Sequence, residues 1–120
     1  MMWMGDLETD FMERIKDAIT LPQVDVLFAP HHGRDTPPRK WLDEMDPQVV
    51  IIGEADEEHL DPYTGFVKMR QGRSGDLTFE TDGAKTHIYA SNDDYFHKAL
   101  RDEGRSNYYG KYVGTLDTPR

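Results

Sequence analysis

The sequence predicts an α/β fold: one mixed sheet with helices on one face. Three observations predict it. Two runs, Val24–Ala29 and Val49–Ile52, are β-branched and apolar on successive positions, as buried parallel strands are. Amphipathic helical patterns precede and separate them, which is the alternation of a βαβ unit. Asp82-Gly83, set between two β-prone runs, signals a hairpin at the far end.

The elements follow in order. Met1–Met4 is a short apolar stub ending at Gly5-Asp6. From Leu7 the apolar residues step by four through Phe11, Ile15 and Ile19, one stripe of a helix closed by Leu21-Pro22. After the Val24–Ala29 strand, His31–Pro38 reads as an irregular loop, and Pro37-Pro38 opens a short helix through Trp41, Leu42 and Met45. Asp46-Pro47 turns the chain into Val49–Ile52. Glu54–Tyr63 reads as an acidic loop, and residues 64–70 as a short helix. Leu77–Thr81 and Thr86–Ala90 form the hairpin. Asp93–Glu103 has a helical pattern with Tyr95, Phe96, Ala99 and Leu100 on its apolar face, and Tyr108–Leu116 reads as a final edge strand.

A length of 120 residues fits a single domain, 1–120. No apolar run reaches the roughly 18 residues of a membrane span, and Met1–Asp6 does not read as a signal peptide. With no cysteine, disulfides, thiolate metal sites and a Cys nucleophile are excluded, and a cytoplasmic protein is expected. The net charge of −9 is uneven: residues 1–60 carry 14 acidic against 5 basic side chains, whereas residues 61–120 carry 9 of each. Nucleic-acid binders show a basic stripe instead, so unaided binding of nucleic acid is not expected.

Two places carry candidate chemistry. Gly5-Asp6 puts a carboxylate at the C-terminal edge of the first strand, where open α/β sheets place ligands. Taken alone, Asp6 also reads as a helix N-cap. His31-His32-Gly33 follows the Val24–Ala29 strand; adjacent histidines there read as a solvated loop pair or as ligands of zinc, which without thiolates is built from His and Asp/Glu. A right-handed βαβ crossover would place Asp6 and His31/His32 on one sheet edge, with strands about 4.8 Å apart. His87 reads as a surface residue of a one-sided strand, and His97 as solvated.

At these residues the sequence resembles a family. Gly5-Asp6-Leu7-Glu8, a helix, the run from Val24 to His31-His32-Gly33, and then Pro47-Gln48-Val49-Val50-Ile51-Ile52 are similar to the C-terminal half of a metallo-β-lactamase-fold hydrolase. The likeness is to the branch of DNA-uptake competence proteins and phosphodiesterase-like members, and it covers about residues 1–90. It implies half of an αββα sandwich. It also implies Asp6 as a carboxylate bridging two divalent ions, typically zinc, His32 as a metal ligand, and His31 as a catalytic, substrate-side partner; on sequence alone the two histidines can exchange roles. His59 falls where many members carry a loop His-Pro.

The family's main metal motif, His-x-His-x-Asp-His, lies in its N-terminal half and is missing here, since the histidines are His31, His32, His59, His87 and His97. The resemblance therefore implies a truncated or split metal-dependent hydrolase, acting on a phosphoester or nucleic-acid-type substrate if completed. Alone it is expected to be inactive and to bind zinc weakly or not at all. The alternative is a non-catalytic binding or assembly module that retains the half-fold. Strands for one sheet only would leave an apolar face open, which argues for a homodimer or for a partner supplying the missing half.

Overall fold

The computed structural model describes residues 1–55 and 57–119, and the side chains of 57–59, including His59, lie outside that description. The chain divides into two compact units, Met1–Lys68 and Met69–Arg120.

The first unit is built on parallel strands: β1 (Met2–Trp3), β2 (Val26–Phe28) and β3 (Val49–Ile52), with β4 (Lys68–Arg70) taking the fourth place in the sheet as the chain leaves the unit. Met2 pairs with Leu27 and Trp3 with Phe28; Val26, Leu27 and Phe28 pair with Val49, Val50 and Ile51. Helix α1 (Thr9–Ile15) links the first pair and α2 (Arg39–Met45) the second. Met12 of α1 and Trp41, Leu42 and Met45 of α2 share one core with Leu27, Val50 and Ile52, so both helices lie on one face of the sheet. The α/β class is as the sequence predicts.

The first helix is shorter than its stripe: it stops at Ile15, and Ile19 beyond it is 38% exposed. It ends where the Lys16 carbonyl accepts from Trp41 Nε1 (3.1 Å) and Lys40 Nζ (3.2 Å) in place of a further helical N–H. Helix α2 begins after Pro38 and closes on Asp46 in the left-handed conformation, its N–H donating to Leu42 O.

Residues 64–70 do not form a helix. Val67 O accepts from Val50 N–H at 2.8 Å, and Lys68–Arg70 is extended, because pairing with a buried strand outweighs a weak local preference. One helical turn, α3 (Gln71–Ser74), follows.

The second unit holds an antiparallel sheet in the order β5 (Leu77–Thr81), β6 (Lys85–Ala90), β7 (Lys111–Asp117). The single mixed sheet expected from the sequence is therefore two sheets. The hairpin turns at Asp82–Lys85, where Asp82 Oδ1 accepts from the N–H groups of Ala84 and Lys85.

The expected helix over Asp93–Glu103 is absent. Asn92 Oδ1 takes Asp94 N–H, His97 Nδ1 takes Ala99 N–H and Asp102 Oδ1 takes Gly104 N–H, local bonds that compete with a helical ladder. Arg101 instead bridges to Thr115 of β7.

His87 is 3% exposed, not a surface residue. It lies on the central strand, whose residues Thr86–Ala90 are buried on both faces, and its Nδ1 meets Thr115 Oγ1 at 2.9 Å. On the sheet face away from the helices Val26 and Val49 are fully buried and Ile51 is 2% exposed, and the stacked pair Trp3 and Phe28 remains partly in water.

Candidate functional site

The site forms at the C-terminal ends of β1, β2 and β3, where the parallel sheet leaves backbone groups for loops to meet. Past β1 the chain turns through Gly5-Asp6; past β2 it turns tightly through Pro30–Gly33. The two turns touch: His31 N–H donates to Gly5 O at 2.6 Å. The adjacency expected of Gly5-Asp6 and His31-His32 is thus present in the backbone.

Both histidines adopt left-handed conformations, His31 at φ 49°, ψ 50° and His32 at φ 58°, ψ 17°. For side chains other than glycine each such residue costs about 1–2 kcal/mol. Two in succession need firm support from their surroundings, and four features supply it. Besides the Gly5 contact, Arg34 N–H closes the turn onto His31 O at 2.9 Å. Gly33, at φ +93°, lies so close to β3 that a β-carbon there would be 2.6 Å from Ile52 Cγ2. Gly53, just past β3, leaves room for His32: a β-carbon on it would lie 3.0 Å from His32 Cβ and 3.2 Å from Nδ1.

The turn sends the two imidazoles to different surroundings. His32 is exposed and rests against the end of β3. The His31 ring, 44% exposed, meets Asp35: Nδ1 to Oδ2 is 2.8 Å. Asp35 is the organising residue that the sequence reading missed. Its Oδ1 accepts from Thr9 N–H (2.9 Å) and Thr9 Oγ1 (2.8 Å), and Thr9 Oγ1 accepts in turn from Thr36 N–H. The Thr9 backbone N–H above all, then the His31 and Thr9 side chains, hold the Asp35 carboxyl below the usual carboxylate range, against a smaller upward pull from burial. An ionised carboxylate has no proton to give, so Nδ1 of His31 is the donor in this bond. Tyr63, buried beneath with its hydroxyl donating to Asp35 O, has its ionisation pushed upward by burial and by the Asp35 charge. A small hollow of about 190 Å³ opens over this network, lined by Glu8, Thr9, Asp10, His31 and Asp35.

Asp6 is exposed and takes no part in the hollow. Among the described residues no three or more His, Asp or Glu side chains are grouped to hold a metal ion. Tetrahedral zinc takes four ligands, so the pair Asp6 and His32 does not by itself fit one. The arrangement present is an oriented imidazole backed by a carboxylate, a pairing that fixes the tautomer and aims the free nitrogen. The spacing His31-x-x-x-Asp35 within one loop was the signal for it, but nothing in the sequence links Asp35 to Thr9.

Set against known protein families, curated proteins and solved structures, the chain finds no match in any of the three.

Proposed function

We propose that this chain carries the Asp/His half of a metal-dependent hydrolase site, with Asp6 and His32 as the metal-facing groups and His31 as the substrate-side imidazole. Ligands from outside these 120 residues complete the site. Phosphoesters are the substrate class, and the chain by itself turns nothing over. The observation that supports this reading is the His31 N–H to Gly5 O bond, which brings the Gly-Asp and His-His turns together at one edge of a parallel sheet. That is the edge where such sheets gather catalytic groups.

Calorimetric titration with zinc chloride tests it. Binding weaker than about 10 μM is expected, because most of the coordination shell would be solvent, and it is lost in Asp6→Ala and in His32→Ala. One tight stoichiometric zinc site in the unmodified chain, or zinc binding unchanged in both variants, overturns the reading.

A second reading, a binding or assembly module without chemistry, draws on the engagement of His31. Its contact with Asp35, and through Asp35 with the start of α1, stabilises the loop whether or not a substrate is ever met. An absence of any zinc response, with the fold intact, favours this module.

A further inference from the structure

A cleft in the second unit has an unusual charge balance for this chain. It measures about 460 Å³ and is bounded by residues 96–113. That volume falls in the range of roughly 300–1,000 Å³ typical of small-molecule sites. In a protein of net charge −9, the segment 96–113 carries four basic side chains against two acidic ones.

The cations divide into two kinds. Arg101 is held by Asp117 at 2.9 Å and Arg105 by Glu80 at 2.7 Å, so their charges are largely answered. Lys98 and Lys111 both line the cleft, and among the described residues no ion pair or side-chain hydrogen bond engages either ammonium. The aromatics divide in the same way. Tyr108 lies under the Arg105 guanidinium and Tyr109 packs edge-on to Tyr89. Phe96, also on the cleft wall, is 68% exposed, and among the described residues no ring or cation lies against it. Asp102, whose Oδ1 accepts from Gly104 N–H, is the carboxylate on the wall.

Two unanswered ammonium groups call for a compact anion, an uncovered aromatic ring calls for a flat apolar surface, and a carboxylate can accept from hydroxyl groups. We propose that this cleft binds a nucleoside monophosphate, its phosphate held by Lys98 and Lys111, its base on the Phe96 ring, and its sugar hydroxyls donating to Asp102. The site is separate from the histidine turn, and its failure would leave the hydrolase reading untouched.

Titration of the ¹⁵N-labelled chain with AMP, followed by amide shifts, tests the proposal, with inorganic phosphate and adenosine as parallel probes. AMP is expected to give saturable shifts confined to residues 96–113. Phosphate and adenosine each bind at least about tenfold more weakly, since each satisfies half of the site. The double variant Lys98→Ala/Lys111→Ala weakens AMP by about tenfold or more, and Phe96→Ala weakens AMP while leaving phosphate unchanged. Lys98 and Phe96 are exposed, so these variants keep the fold, which circular dichroism checks; Lys111→Gln serves if the double alanine variant does not fold. The proposal is overturned by a lack of saturation at about 10 mM AMP, by equal affinity for AMP and phosphate, by AMP binding unchanged in the lysine variants, or by shifts centred on residues 31–35.

Discussion

Replacing Asp35 by alanine removes a side chain that ties the histidine turn to the start of α1. Three hydrogen bonds end on its carboxylate: from Thr9 N–H, Thr9 Oγ1 and His31 Nδ1, at 2.9, 2.8 and 2.8 Å. A lost helix-end acceptor costs about 1 kcal/mol, and a hydrogen bond to a charged group contributes about 1.5–3 kcal/mol. The three share one acceptor group and are not additive, and the side chain keeps 20% of its surface in water, which replaces part of the loss. The expected cost is about 2–3 kcal/mol for Asp35→Ala. Asp35→Asn keeps an oxygen for Thr9 and should cost about 1 kcal/mol. Urea unfolding followed by circular dichroism measures both.

The same experiment repeated across pH gives a sharper check. The folded-state pKa of Asp35 lies below its unfolded value of about 3.9. Its stabilisation is therefore complete above the unfolded value and is lost as pH falls through the folded one. The gap between the native chain and Asp35→Asn should accordingly be full at neutral pH and shrink on acidification below about pH 4. A gap that stays constant into acid, or an alanine variant less than about 0.5 kcal/mol destabilised, refutes the network as described.

Two further outcomes follow from packing. Gly33→Ala forces a β-carbon toward Ile52 Cγ2 and Ala55 Cβ at a backbone φ of +93°, so a loss of about 1–3 kcal/mol is expected in thermal or urea unfolding. Trp41→Phe removes the indole N–H donor to the Lys16 carbonyl and part of a side chain only 2% exposed; a loss of about 1–2 kcal/mol is expected, and an unchanged urea midpoint would show that this bond does not end α1.

Local pattern was enough for the elements whose signals are carried by neighbours in the chain. Val49–Ile52 is a strand because four apolar β-branched residues in a row fit a position buried on both faces. Leu77–Thr81 turns back on itself because Asp82 caps its own turn. Helix α2 starts where two prolines end, and the order of strands and helices is enough to put Gly5-Asp6 beside His31-His32. The sequence could not show where side chains 20 or more residues apart would meet. Asp35 acquires its role from Thr9, 26 positions earlier, and His87 is buried because β6 became a central strand bonded to Thr115, 28 positions later. The helical pattern of 93–103 lost to side chains that capped their own backbone and to the pairing of Arg101 with β7, which no local window contains. Periodicity reports which residues prefer to be buried. The partner that satisfies a buried polar group, and so decides whether a histidine is a surface residue, a core residue or part of a site, is fixed only when distant strands and loops come together.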